Sequence, residues 1–480
     1  MMQLASFEWR LLRADATLRA FAVLLVALTA YGLYNGRAWV GFQQATIARV
    51  STEESTRLAG HQATLERLAR GDTAGIASWT SPLIMNAAGT THLTRYAILP
   101  HAPLAAFAVG QSDLYPYYTR VSMRSKQTFI GNDEIENPVN LMAGRFDLAF
   151  VTIYLLPLLI LALSYNLVSI EREQGTLDLT LSQPVDARRV ILTKLLVRLA
   201  VVGGAVVALV LLGALLTGAS LSTPGALPRL ALWTAVVLLY AAFWFALAVL
   251  VNIWRGSSAT NAVILLTAWL AVVVVVPSLY NAAITTMRPS PSRVELTTAI
   301  RAATNEANER GTVLLQKYYL DHPEMMGGAD ANPNDFATRS IVVQEAVDSS
   351  MAPTLAEFDR RLLAQQALAD RYRFASPALS VQAALFDLAG TSVHRYQHYQ
   401  RQLDGFHKSW QEWFFPKVFA RARLTTDDIG RLPAFRYEEE SVAAVASRVW
   451  PTLLGLLLPT VLLAGFAATR MRATELRRTS

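Results

Sequence analysis

Residues 148–170 read LAFVTIYLLPLLILALSYNLVSI and contain no charged residue. A bilayer core is ~30 Å thick, and a helix rising ~1.5 Å per residue needs ~20 apolar residues to cross it. This run is long enough, so it predicts a membrane-spanning helix. Residues 171–198 follow as a charged stretch, and residues 199–221 form a second uncharged apolar window.

The same criterion applied outward gives four more windows, at 18–34, 230–253, 259–284 and 449–468. The first is slightly short, and Arg19 near its start can snorkel to the headgroups. The fourth in chain order is rich in aromatics: Trp233, Tyr240, Phe243, Trp244 and Phe245. Charged residues make up only 16% of the 480 residues, against ~25% in soluble domains, and they are concentrated between the windows. The expected fold is an all-α membrane protein with six transmembrane helices. Ala-Leu-Thr-Ala at 27–30 resembles a signal cleavage site, but some twenty residues precede the window and five spans follow it, so we expect a retained helix. The chain has no Cys, which excludes disulfides, thiolate metal sites and a Cys nucleophile.

Basic residues set the orientation. Arg10, Arg13 and Arg19 lie in the N-terminal segment. Arg172, Arg188, Arg189, Lys194 and Arg198 lie between windows two and three, Arg255 between four and five, and Arg470, Arg472, Arg477 and Arg478 in the tail. With six spans these four segments share one side, while the short loop on the other side has Arg229 alone. The positive-inside rule then makes both termini cytoplasmic and segments 35–147 and 285–448 extracytoplasmic. The net charge of +7 is absorbed by this bias, so no nucleic-acid partner is indicated.

Both long segments read as mainly helical. Residues 36–70 are rich in Ala, Glu, Gln and Arg without Pro, and 76–118 read as loops with short strands. Helices are expected over 292–319 and 336–372. Ser376 as N-cap with Pro377 at the first helical position opens another, running to about Phe415. There Val393, Tyr396, Tyr399, Leu403, Phe406, Trp410 and Trp413 form one apolar stripe.

The stretch 166–198, NLVSIEREQGTLDLTLSQPVDARRVILTKLLVR, leaves the second span through a charged patch, stops at Pro184 and restarts after Asp186. On physics alone an ordinary cytoplasmic loop fits as well as a functional one, and Leu177, Leu179 and Leu181 alternate with period two. The residues Glu171-Arg172-Glu173-Gln174-Gly175-Thr176-Leu177, then Leu181-Ser182-Gln183-Pro184-Val185 and Lys194-Leu195, resemble the signature of ABC-2-type transporter permeases. Residues 131–138 (GNDEIENP), 144–147 (GRFD), Pro291-Ser292-Arg293, 376–379 (SPAL) and 387–390 (DLAG) resemble a branch of that family with large extracytoplasmic domains. This branch is distantly similar to permeases of gliding motility and of nitrous-oxide-reductase copper maturation.

The resemblance implies a bacterial inner-membrane protein with domains 1–17 (interfacial elbow helix), 18–34, 35–147, 148–170, 171–198 (coupling loop), 199–221, 230–253, 259–284, 285–448, 449–468 and 469–480 (tail). It implies that Glu171, Arg172, Glu173, Gly175, Thr176, Asp178 and Pro184 couple the chain to separate ATP-binding subunits. It also implies a second permease, identical or similar, as partner. In the elbow helix Trp9 suits headgroup depth while Arg10 and Arg13 reach lipid phosphates. The chain has no G-x-x-x-x-G-K-[ST], so ATP and Mg are expected on the partner, with no cofactor here and no enzymatic activity.

His394 and His398 have metal-ligand spacing, but no Glu follows the first His and no third ligand is indicated, so a solvated face is expected. Glu438-Glu439-Glu440 reads as a hydrated patch, and the aromatics of the fourth span as packing or lipid-facing groups. The functional expectation is an export permease. The alternative is a mechanical transmitter, whose helices move the outer domains against an extracytoplasmic partner protein while nothing crosses. No span carries paired Asp, Glu or His, so an intramembrane enzyme is not supported.

Overall fold

The computed structural model describes residues 2–14, 16–72, 81, 83–124, 145–175, 187–254, 256–323 and 336–479. Its elements are mostly helices, and six are long and apolar enough to cross a membrane. In chain order the principal elements are α1 (Met2–Ala14), α2 (Ala16–Ala69), β1 (Arg95–Ile98), β2 (Tyr118–Val121), α3 (148–164), α4 (Ser169–Glu173), α5 (Ala187–Leu216), α6 (Ala226–Ile253) and α7 (Ser258–Met287). There follow α8 (Arg293–Glu309), α9 (Gly311–Asp321), α10 (Phe336–Tyr372), α11 (Pro377–Ala389), α12 (Val393–Phe419), α13 (Thr426–Gly430) and α14 (Val442–Thr479). The only sheet among the described residues is the antiparallel pair β1–β2, with Arg95 opposite Val121.

The helix expected over 36–70 is present to Ala69 and is continuous with the first span. The first span runs on as the 54-residue α2, about 80 Å long at ~1.5 Å per residue. Gly32 and Gly36 let it pass its neighbours. A Cβ on Gly36 would sit 1.9 Å from the Ala106 carbonyl oxygen, and one on Gly32 would sit 2.8 Å from the Asp147 backbone.

Helix α3 starts at Asp147, whose Oδ1 accepts the Phe150 amide at 2.8 Å and whose Oδ2 accepts the Val109 amide at 2.8 Å. It contains a π-turn, Val151–Leu155, just before Pro157. Pro157 has no N–H for the Ile153 carbonyl, which accepts instead from the Tyr240 hydroxyl of α6 at 3.1 Å. The next carbonyl, Tyr154, accepts from Trp269 Nε1 of α7 at 3.2 Å. Helix α7 repeats the device, with a π-turn at Leu270–Val275 before Pro277 and the Val272 carbonyl accepting from Ser376 Oγ at 2.6 Å. Inside hydrocarbon each freed carbonyl must find a partner, so these bonds hold the bundle together.

Helices α3 and α6 are central. In each, 61% of the most apolar window is buried, against 11% for α7. The aromatics of α6 are packing groups: Trp233, Tyr240 and Trp244 are fully buried.

A second core lies beyond one end of the bundle, where the outer part of α2, β1–β2, α9, α10 and α12 meet around Leu65, Leu315, Ile341, Tyr399, Leu403, Trp410 and Phe414. This buries most of the expected stripe, with Val393, Tyr396 and Trp413 only half-buried. Two expected helices are broken. The first divides at Arg310, where Gly311 lets α9 lie against Val343 and Arg339 of α10. The second ends at Gly390, φ +71°, a left-handed cap that separates α11 from α12.

The short apolar α11 packs among α6, α7 and α14, so this part of 285–448 lies against the spans. Three hydrogen bonds place the approach to it. Gln365 donates to Arg288 O at 2.7 Å, Tyr280 OH to Ala369 O at 2.6 Å and Ser376 Oγ to Val272 O. The end of α10 thus runs antiparallel beside α7, and the chain reaches Val272 at Ser376, where α11 begins.

Candidate functional site

At the opposite end of the bundle the chain leaves α3 through a turn at 165–168 and forms α4, Ser169–Glu173. Gly175, φ +69°, terminates it with open space around its Cα. A β-branched residue there meets no clash but must adopt a left-handed backbone.

Each of the three consecutive charges of α4 reaches a different part of the chain. Glu171 pairs with Lys194 of α5 at 2.5 Å. Arg172 donates to the carbonyl of Gly256, in the turn between α6 and α7. Glu173 caps α7: its Oε1 accepts the Ser258 amide at 2.6 Å and its Oε2 the Ser258 hydroxyl at 3.0 Å. Ser169 Oγ adds a bond of 2.8 Å to Ser258 Oγ.

Just inside the bundle, Asn252 Nδ2 donates to Ser164 O at 2.8 Å and Asn261 Nδ2 to Tyr165 O at 3.2 Å. Both asparagines are 1% exposed. Helix α1 joins the same end through Glu8, 4% exposed, which accepts from Arg198 of α5 at 3.0 Å. Leu12 is buried beside it, while Trp9, Arg10 and Arg13 face outward. That amphipathic division suits a helix lying on a bilayer surface. Thr176, Asp178 and Pro184 lie outside the described residues, as do the 131–138 motif and Gly144 of the 144–147 motif.

The charges of α4 bond within the chain. Their partners lie 23 to 85 positions away, which no local pattern reveals. The arrangement contains no nucleophile–base pair. It ties one short helix, joined to α3 through the 165–168 turn, to α5 and α7 at once.

The far end carries a second polar cluster. His394 Nε2 is 3.2 Å from Asp370 and its Nδ1 is 3.4 Å from Asp387. His398 instead meets the Glu438 carbonyl at 3.0 Å, so the two rings serve different partners. The acidic run is no hydrated patch. Glu439 binds Arg395 at 2.7 Å and Arg229 at 3.5 Å, and Glu440 binds Arg448 at 2.8 Å. Hydrogen bonds donated by the His394 ring to Asp370 and Asp387 outweigh burial and raise its pKa to about 9. Burial pushes both carboxyls up, but the hydrogen bond from His394 and the neighbouring positive charges leave them below their ordinary value.

Residues 122–280, from β2 through most of α7, match the family model described as ABC-2 family transporter protein. This stretch of the chain is similar to ABC-2 family transporter proteins. The α4 node lies wholly within that ABC-2 region. Residues 293–438 match a domain of unknown function, DUF3526, so beside the ABC-2 region the chain carries a further domain comprising α8–α13, with His394, Asp370 and Asp387. No curated protein matches the chain significantly. The ABC-2 region and the six candidate spans support a permease-type, multi-pass membrane subunit.

Proposed function

We propose that this chain is the membrane subunit of an ABC-2-type exporter and that separate ATP-binding subunits drive it by pressing on α4 and the loop after it. The observation that carries the reading is the distribution of Glu171, Arg172 and Glu173 over α5, Gly256 and the start of α7. A coupling element must be short and tied to several spans, so that one displacement tilts them together. Glu171, Arg172, Glu173 and Gly175 then act as positioning residues, and Thr176, Asp178 and Pro184 complete the loop. The basic residues of 188–198 and Arg255 put this end in the cytoplasm with both termini, and the domains at the far end outside a bacterial inner membrane. A second permease copy or a similar chain completes the assembly. Trp9, Arg10 and Arg13 anchor α1 among the headgroups.

One observation favours the transmitter reading. Helix α2 runs unbroken from the spans into the outer core, so tilting the span also moves the outer domain. The resulting work falls on an extracytoplasmic partner protein.

The test is the double variant Glu173→Arg/Gly175→Val, which reverses the charge that caps α7 and strains the turn. In nanodiscs with its ATP-binding subunit it should lose roughly tenfold or more of the stimulated ATPase rate, equivalent to ~1.4 kcal/mol of coupling. Unchanged binding and stimulation contradict the assignment.

A further inference from the structure

The hairpin formed by the end of α10 and by α11 meets α12 at one imidazole. His394 stands at the start of α12, with Asp370 of α10 at 3.2 Å on one ring nitrogen and Asp387 of α11 at 3.4 Å on the other. A neutral imidazole has one N–H and one lone pair, so one of these contacts would set a lone pair against a carboxylate oxygen. Only the imidazolium donates to both.

The surroundings extend the bridge. Asp387, 3% exposed, accepts from Ser392 Oγ at 2.6 Å and faces Arg448 of α14 at 3.4 Å. Arg448 continues to Glu440. Asp370 is also reached by Gln366 at 3.3 Å, the Arg373 charge acts on it from the foot of α10, and the neutral Tyr280 phenol of α7 lies nearby. Neighbouring Arg395 is engaged by Glu439 and the Pro100 carbonyl, so it does not compete for Asp387. The chain Asp370–His394–Asp387–Arg448–Glu440 thus ties α10, α12, α11, α14 and the strap before α14.

We propose that the His394 imidazolium is a proton-operated clasp: while protonated it locks the α10–α11 hairpin against the spans, and loss of the proton releases the hairpin from the far end of the bundle. The neutral ring would leave two carboxylates bridged by a single donor beside a repelling lone pair. The apolar α11 would then lose its tie to α10 through the ring and keep its packing, the Asp387–Arg448 contact and the Ser376, Ser380 and Thr452 bonds. The clasp stands on the geometry of this cluster and does not depend on the permease reading.

The sign of the pH effect follows from the raised value. The contribution of His394 is complete below its ordinary value of 6.5 and is lost as pH rises through about 9. The full chain in nanodiscs is compared with His394→Gln, Asp370→Asn and the double variant by thermal unfolding from about pH 6 to 10.5. At pH 7 wild type should melt roughly 2–6 °C above each single variant, the two losses should not add, and the gap should close near pH 10.5. The chain has no Cys, so nitroxide labels at Leu363→Cys and Trp450→Cys, both exposed positions, report the separation of α10 from α14. The wild-type distance distribution at pH 10.5 should broaden to match that of His394→Gln at pH 7. A melting gap that is constant with pH, or label distances unchanged in both cases, overturns the clasp. The wild-type titration needs no variant and stands even if a substitution fails to fold.

Discussion

Pro157 is visible in the sequence as a residue that deprives the Ile153 carbonyl of its helical partner. The group that replaces the missing donor, Tyr240, lies 87 positions away. From the sequence Tyr240 is simply one aromatic in an apolar window; in the fold it is buried with its hydroxyl on that carbonyl. Tyr240→Phe keeps the ring and removes the bond, so unfolding in detergent should become easier by about 1 kcal/mol. An unchanged unfolding profile would mean that the carbonyl does not need this donor. The same distance hides the α4 node: Glu171, Arg172 and Glu173 are conspicuous as a charged triplet, but their bonds to Lys194, Gly256 and Ser258 exist only after α3, α5 and α7 have packed. A cluster of charges in sequence says that solvent or partners are near, and tertiary structure decides which.

At the scale of elements, the spans were legible because a charge at mid-bilayer is expensive, roughly 3 kcal/mol for Arg on the insertion scale, so their uncharged length is a direct imprint of the solvent. Helix ends were less so. The break between α11 and α12 depends on Gly390 adopting a left-handed cap, and a Cβ there would lie 2.4 Å from Ala102 Cβ. Glycine in a helical pattern signals such a cap only when the packing around it is known. The π-turns in α3 and α7 leave no periodic mark. The stripe on α12 was legible, since helical spacing places Tyr399, Leu403, Phe406 and Trp410 on one face. Trp410 is 0% exposed and packs 5.1 Å from the ring of Phe414. Trp410→Ala should therefore destabilise the outer core by about 3–5 kcal/mol, read as loss of its protease resistance at moderate temperature. A variant as resistant as wild type would show that the core does not rest on this ring.

For the whole molecule, two bodies of different chemistry share one chain. A bundle built around α3 and α6 carries the ABC-2 match, and a domain of unassigned function is joined to it by α2, by the α10–α11 hairpin and by the His394 cluster. Charge bias predicts their sides: a reporter fused after Ser480 should be cytoplasmic, and one inserted at Gly328 should be outside. Both on one side would break the six-span topology. On the proposed reading, force enters at α4 and leaves through α2 and the hairpin. The measurement that tests this most directly is photo-cross-linking. A benzoylphenylalanine at Gln174, exposed beside α4, should form an adduct with the co-expressed ATP-binding subunit, and the same probe at Lys408 on α12 should form none. Adducts at neither position, or only at Lys408, would contradict the placement of the ATP-driven input at α4.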